Sequence, residues 1–120
     1  MKSEKHLLSE LRQFTGTTQW YRHSLFPNFL YTDGIAYLAE QAGAYWLIDA
    51  IFSYQIDPKI HKHEYQTWKI LVNVQRQALI IGDDGNGNII GEFSIPYTDF
   101  PFTEFKIWFV NNVLLLPTEY

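Results

Sequence analysis

The spacing of apolar positions changes once along this chain, from a helical period of about 3.6 residues in the first half to a period of two in the second. Leu7, Leu8 and Leu11 share one side of an N-terminal segment whose other side carries Glu4, Lys5, Glu10 and Arg12, and Ser3 can cap it. Phe14 follows, and Thr15-Gly16-Thr17 ends this first predicted helix. Residues 18–25 have strand-like side chains with weak alternation, and Pro27 and Asn28 break them. Residues 32–55 predict one long helix, or two abutting at Gly43, with Thr32 or Asp33 as the cap and a run of alanines favouring helix.

Within that helix, Asp49 falls by spacing among Leu38, Ala42, Tyr45, Trp46 and Ser53. Leu47, Ile51 and Tyr54 lie away from that stripe, so the second half reads as apolar nearly all round. The expectation is a segment buried on more than one side, by the first helix and a sheet or by a second subunit. A carboxylate enclosed there must find partners or stay protonated.

From Gln66 the alternation is strand-like. Gln66, Trp68, Ile70, Val72 and Val74 take one side, with Thr67, Lys69 and Asn73 on the other. Residues 78–81, 89–95 and 105–110 predict further strands, with Ile89, Phe93 and Ile95 inward in the second of these. The run 83–88 (DDGNGN) is a hairpin turn, residues 55–64 a polar connection, and Asn111-Asn112 a bend before residues 113–116. The predicted architecture is α+β: an antiparallel sheet of about four to five strands, with an N-terminal helix and a long central helix packed on one face. The triplet Tyr-Thr-Asp occurs at 31–33 and 97–99, where Asp33 and Asp99 are expected to cap local turns.

Composition narrows the function classes. The chain has 120 residues, which fits one domain. Hydrophobic residues make up 47% and charged residues 18%, a globular balance rather than a disordered one. Tryptophans at 20, 46, 68 and 108 fall in different predicted elements and suggest one shared aromatic core. A net charge of -4 without any Lys/Arg run removes the electrostatic footprint for duplex nucleic acid. The same balance disfavours a single-strand stacking platform. Without cysteine there is no disulfide or thiolate chemistry. No stretch has the roughly 18 apolar residues of a membrane span, so no membrane partner is expected and the expected location is the cytoplasm.

Candidate chemistry is sparse. Counted from Asp84 as a calcium loop, Asn86 and Asn88 fit, but Ile89 and Ile95 stand where Gly and Glu are needed. His61, His63 and Glu64, with Asp57, lack the fixed spacing of a zinc site and read as a solvated loop; no metal or cofactor is expected. Trp20-Tyr21-Arg22-His23 places a cation and an imidazole on a strand, where Arg22 is expected to pair with Asp33, Glu40 or Asp49. Asp49 reads better as a structural acceptor for Tyr, Trp or backbone donors than as a general base. No nucleophile elbow, zinc-protease pair or phosphate-binding glycine loop is present.

Six blocks carry a resemblance: Phe14-Thr15-Gly16-Thr17, Tyr31-Thr32-Asp33-Gly34, residues 39–49 (AEQAGAYWLID), Asp84-Gly85-Asn86-Gly87, residues 97–101 (YTDFP) and residues 114–120 (LLLPTEY). Together, across nearly the whole chain, this resembles a family of small stand-alone bacterial domains of unknown function. The resemblance implies a bacterial, cytoplasmic, single-domain protein and carries over no reaction, cofactor or catalytic residue. Two expectations follow from the residues themselves. The first is a non-enzymatic interaction module, in its simplest form a homodimer. The second is a small-molecule, hydrolytic or isomerising site in a pocket between the long helix and the sheet, with Arg22, His23, Asp33, Trp46 and Asp49 as its residues.

Overall fold

The computed structural model describes residues 4–17 and 19–120; Ser3 and Thr18, the expected cap and strand start, lie outside them. The elements are α1 (Glu4–Leu11), β1 (Trp20–Arg22), β2 (Leu30–Thr32), α2 (Asp33–Ala42), α3 (Tyr45–Tyr54), α4 (Pro58–His61), β3 (Tyr65–Val72), β4 (Ala78–Asp83), β5 (Ile89–Ile95), β6 (Glu104–Val110), β7 (Val113–Leu115) and a short 3-10 turn (Pro117–Glu119). The fold is α+β, as the change of period implies.

The sheet is larger than expected and not purely antiparallel. Its seven strands run in the order β1-β2-β7-β6-β3-β4-β5, and β2 lies parallel to β7 (Leu30 beside Val113, Tyr31 beside Leu114). Both of those strands are three residues long. Three residues cannot display a period, and their pairing joins distant parts of the chain, so local pattern holds no trace of it. The strand with the clearest alternation behaves as expected: along β3, Gln66, Trp68, Ile70 and Val72 are buried and their neighbours only half-buried.

The central helix is two helices. Gly43 adopts the left-handed conformation (φ 62°) in which a β-carbon is strained, and it ends α2; α3 restarts at Tyr45. The change of axis also reassigns the faces. In α3 the inward stripe is Leu47, Ile48, Ile51 and Phe52, while Tyr45, Asp49 and Ser53 are exposed. The expected enclosure of Asp49 is therefore wrong: its side chain is 60% exposed. Positions four residues either side of it, Tyr45 and Ser53, tolerate water, and the charge lies between them. The idea that α3 is covered all round falls for the same reason.

One core joins the helices to one face of the sheet. Phe52 meets Phe109 edge-on at 5.9 Å, Tyr54 stacks on Phe93 at 5.5 Å, and Leu7 and Leu11 of α1 complete the same cluster. Trp68 is fully buried there; its ring lies 2.7 Å from where a β-carbon on Gly82 would stand, so this glycine gives it room. The tryptophans do not share this core as expected. Trp20 is exposed, Trp46 packs at the margin, and Trp108 lies on the opposite sheet face against Tyr65 and Tyr120. Val74 is 91% exposed because β3 ends at Val72 and Val74 enters the turn. Ile89 is exposed because the ladder shifts register between Gly82 and Asp83.

Candidate functional site

The loop after β1 lies against α3, and the two enclose a cleft of about 350 Å³ lined by Arg22, His23, Ser24, Leu25, Tyr31, Tyr45, Ile48 and Asp49. Three of the five expected site residues, Arg22, His23 and Asp49, meet here. Asp33 and Trp46 do not line it. Asp33 lies at the start of α2, where its carboxylate accepts from the Tyr21 hydroxyl (3.1 Å) and the Gln19 amide (3.3 Å).

His23 is held from every side. Its Nδ1 accepts from the Leu25 backbone amide at 3.0 Å, so the neutral ring carries its proton on Nε2, which donates to Asp49 Oδ1 at 2.5 Å. The ring packs against Phe26 and, edge-on, against Phe52. The Arg22 side chain, in contrast, makes no ion pair or hydrogen bond among the described residues, so the expected Arg–carboxylate tie between this strand and the helix is replaced by His23–Asp49. Tyr31 has its pKa raised by burial first, then by the charges of Tyr45 and Asp49, and all three residues line the cleft.

Sequence reasoning missed three polar features. The first is buried: the side-chain amides of Gln55 and Gln66 exchange hydrogen bonds at 2.8 and 2.9 Å. Gln66 also donates to the carbonyls of Ile60 and His63, and the Trp68 indole donates to its oxygen. A Gln at an inward strand position, two places before a buried Trp, was the available signal. The second is Glu119, whose carboxylate accepts from the Thr32 hydroxyl (2.6 Å), the Gly34 amide (3.1 Å) and the Leu116 amide (2.9 Å). It caps α2 from the chain's far end, where negative charge suits the helix dipole. A β-carbon on Gly34 would stand 2.6 Å from that carboxylate, so glycine is needed there. The third is Arg76, which donates to the carbonyls of Thr98 and Phe100 and pins the loop that follows β5.

Two of the resemblance blocks, residues 31–34 and 114–120, thus meet in one capping site. In both Tyr-Thr-Asp triplets the threonine caps, contrary to the expectation for Asp33 and Asp99: Thr32 accepts from Ile35 N and Thr98 from Phe100 N. His61 bonds Asn112 at 2.7 Å, and no group of three or more His, Cys, Asp or Glu suited to a metal occurs among the described residues. Nor, among them, is any helix long and apolar enough to cross a membrane.

No curated protein and no solved structure matches the chain. A family model does, over residues 5–120, and the chain belongs to that family, a family of unknown function (DUF6876).

Proposed function

We propose that this chain is a non-enzymatic, single-domain module that associates with a second copy of itself through the sheet face turned away from the helices. The observation that carries this reading is the composition of that face. It presents half-buried Leu71 and Leu79 side by side, with Ile81 nearby, while at its other end Trp108 packs against Tyr65 and Tyr120. Its charges are of both signs: Lys69 stands beside Lys106, and Lys69 also lies 3.6 Å from Glu104. A two-fold interface brings one patch onto itself, so a face holding both signs can place each copy's lysines against the other's glutamates. Sedimentation of the purified chain across a concentration series tests this. The expected outcome is a dimer that Leu71→Lys together with Leu79→Lys converts to monomer. A wild-type chain that stays monomeric at the highest soluble concentration overturns it.

The hydrolytic or isomerising alternative loses support from His23. Both ring nitrogens already hold partners, so the imidazole has no lone pair with which to take a substrate proton. Binding without chemistry at the cleft is unaffected by this, and Arg22, His23 and Asp49 are the residues we assign to it.

A further inference from the structure

Arg22 and Asp49 line the same cleft with opposite charges and do not pair with each other among the described residues. Asp49 gives only Oδ1 to a partner, His23, and the Arg22 guanidinium has none there. Its volume of about 350 Å³ lies at the small end of the roughly 300–1,000 Å³ that small-molecule sites occupy. We propose that this cleft binds a small zwitterion of the α-amino-acid class, its ammonium group on Asp49, Tyr31 and Tyr45 and its carboxylate on Arg22.

The chemistry at each end is specific. A primary ammonium has three donors and no acceptor, which suits one carboxylate and two phenol oxygens. A guanidinium offers a planar fork that a carboxylate fills with two parallel bonds. Ile48 and Leu25 supply apolar wall for the carbon skeleton between them. A simple anion meets the repulsion of Asp49, and a simple cation leaves Arg22 without a partner and close to a like charge. The His23 contact positions Asp49: by taking one oxygen and packing its ring against Phe26 and Phe52, His23 limits the carboxylate's freedom before any ligand arrives. The hollow of about 420 Å³ between α1 and the 3-10 turn also holds charges of both signs, Arg12, Lys106 and Glu104, but there Glu104 already pairs with Lys69. The proposal stands apart from self-association, because the cleft is built from β1, β2 and α3 and not from the uncovered sheet face.

The test is a titration of the full chain, followed by amide chemical shifts, with L-amino acids from glycine to methionine. Ethylamine and propionate serve as the two half-ligands. Saturable shifts confined to the amides of residues 22–25, 31, 45, 48 and 49 are expected for at least one amino acid, stronger than for either half-ligand. Arg22→Gln should weaken the amino acid at least about tenfold and leave ethylamine unchanged. Asp49→Asn should abolish both. Both side chains are exposed, so both variants should keep the dispersed wild-type spectrum, which the same experiment reads. Silence of the cleft amides across the whole panel overturns the proposal. So does an Arg22→Gln variant that binds amino acid and ethylamine with equal loss, or an Asp49→Asn variant that binds amino acid as the wild type does.

Discussion

Among the polar attachments that fasten helix α3 to the rest of the molecule, two have opposite character. At its middle, Asp49 accepts the His23 Nε2–H hydrogen bond in a contact open to solvent on the aspartate side. Just beyond its C-terminus, Gln55 exchanges amide hydrogen bonds with Gln66 in a site where both residues are almost wholly buried. The fold puts the charge outside and the neutral amides inside. Taking an unpaired carboxylate out of water costs several kcal/mol at least, whereas two primary amides present matched donors and acceptors and answer each other without moving a charge. The buried pair also recruits Ile51 O, Ile60 O, His63 O and Trp68 Nε1, and no buried side-chain polar atom among the described residues is left without a partner. Burial of polarity is tolerated where satisfaction is complete.

Breaking the buried attachment should have the largest effect. Gln66→Leu strands the Trp68 indole N–H and the Gln55 amide and takes the side-chain donor from the His63 carbonyl, while the Ile60 carbonyl keeps the His63 amide. A loss of about 3–5 kcal/mol in urea unfolding is expected. The double variant Gln55→Leu/Gln66→Leu should lose less than the sum of the two single variants, because each single change abandons groups that the double change removes together. Additive losses would mean that the two amides do not depend on each other.

Next in size is the cap on α2. Glu119→Ala removes the acceptor shared by Thr32, Gly34 and Leu116 and should cost about 1–2 kcal/mol. Gly34→Ala must displace the same carboxylate and the equally close Leu116 side chain, and should cost about 1–3 kcal/mol, only part of it absent when it is introduced into Glu119→Ala. The exposed attachment ranks below both. Asp49→Ala should cost at most about 1 kcal/mol, since a largely solvated pair contributes little to stability. A loss as large as that of Gln66→Leu would return Asp49 to the structural role expected from its spacing.

How far these attachments were legible in the sequence depended on whether their cause was local. The β3 alternation, the Asp-Gly/Asn-Gly turn and the possible break at Gly43 are local, and each is where its residues put it. The spacing around Asp49 misleads because the helical stripe of α2 does not continue across Gly43. With the axis restarted at Tyr45, Leu47, Ile48, Ile51 and Phe52 form the better stripe and the charge marks the wet side. The parallel β2–β7 pair and the Glu119 cap join the ends of the chain, and no window of neighbouring residues contains both halves of either. Arg22 was matched to a carboxylate by charge alone; the adjacent His23 took that place because the Leu25 amide and the Phe26 and Phe52 rings orient it.

The smallest expected effect concerns a third polar attachment, which ties β1 to α2 at the surface. Tyr21 donates to Asp33, and this bond to an anion, ahead of burial and simple charge repulsion, raises the Tyr21 pKa above its ordinary value near 10. The sign follows from the protonated phenol being the favoured partner. Its contribution to stability is fully present below the unfolded tyrosine pKa and disappears as pH rises through the folded value. Asp33→Asn removes the anion and should let Tyr21 ionise at lower pH, closer to an ordinary tyrosine. Following the Tyr21 ring carbons by NMR from neutral to alkaline pH separates this residue from the other tyrosines. A Tyr21 titration that Asp33→Asn does not move would detach the Tyr21 hydroxyl from Asp33, and would leave the Gln19 amide as the bond to that carboxylate from the β1 region.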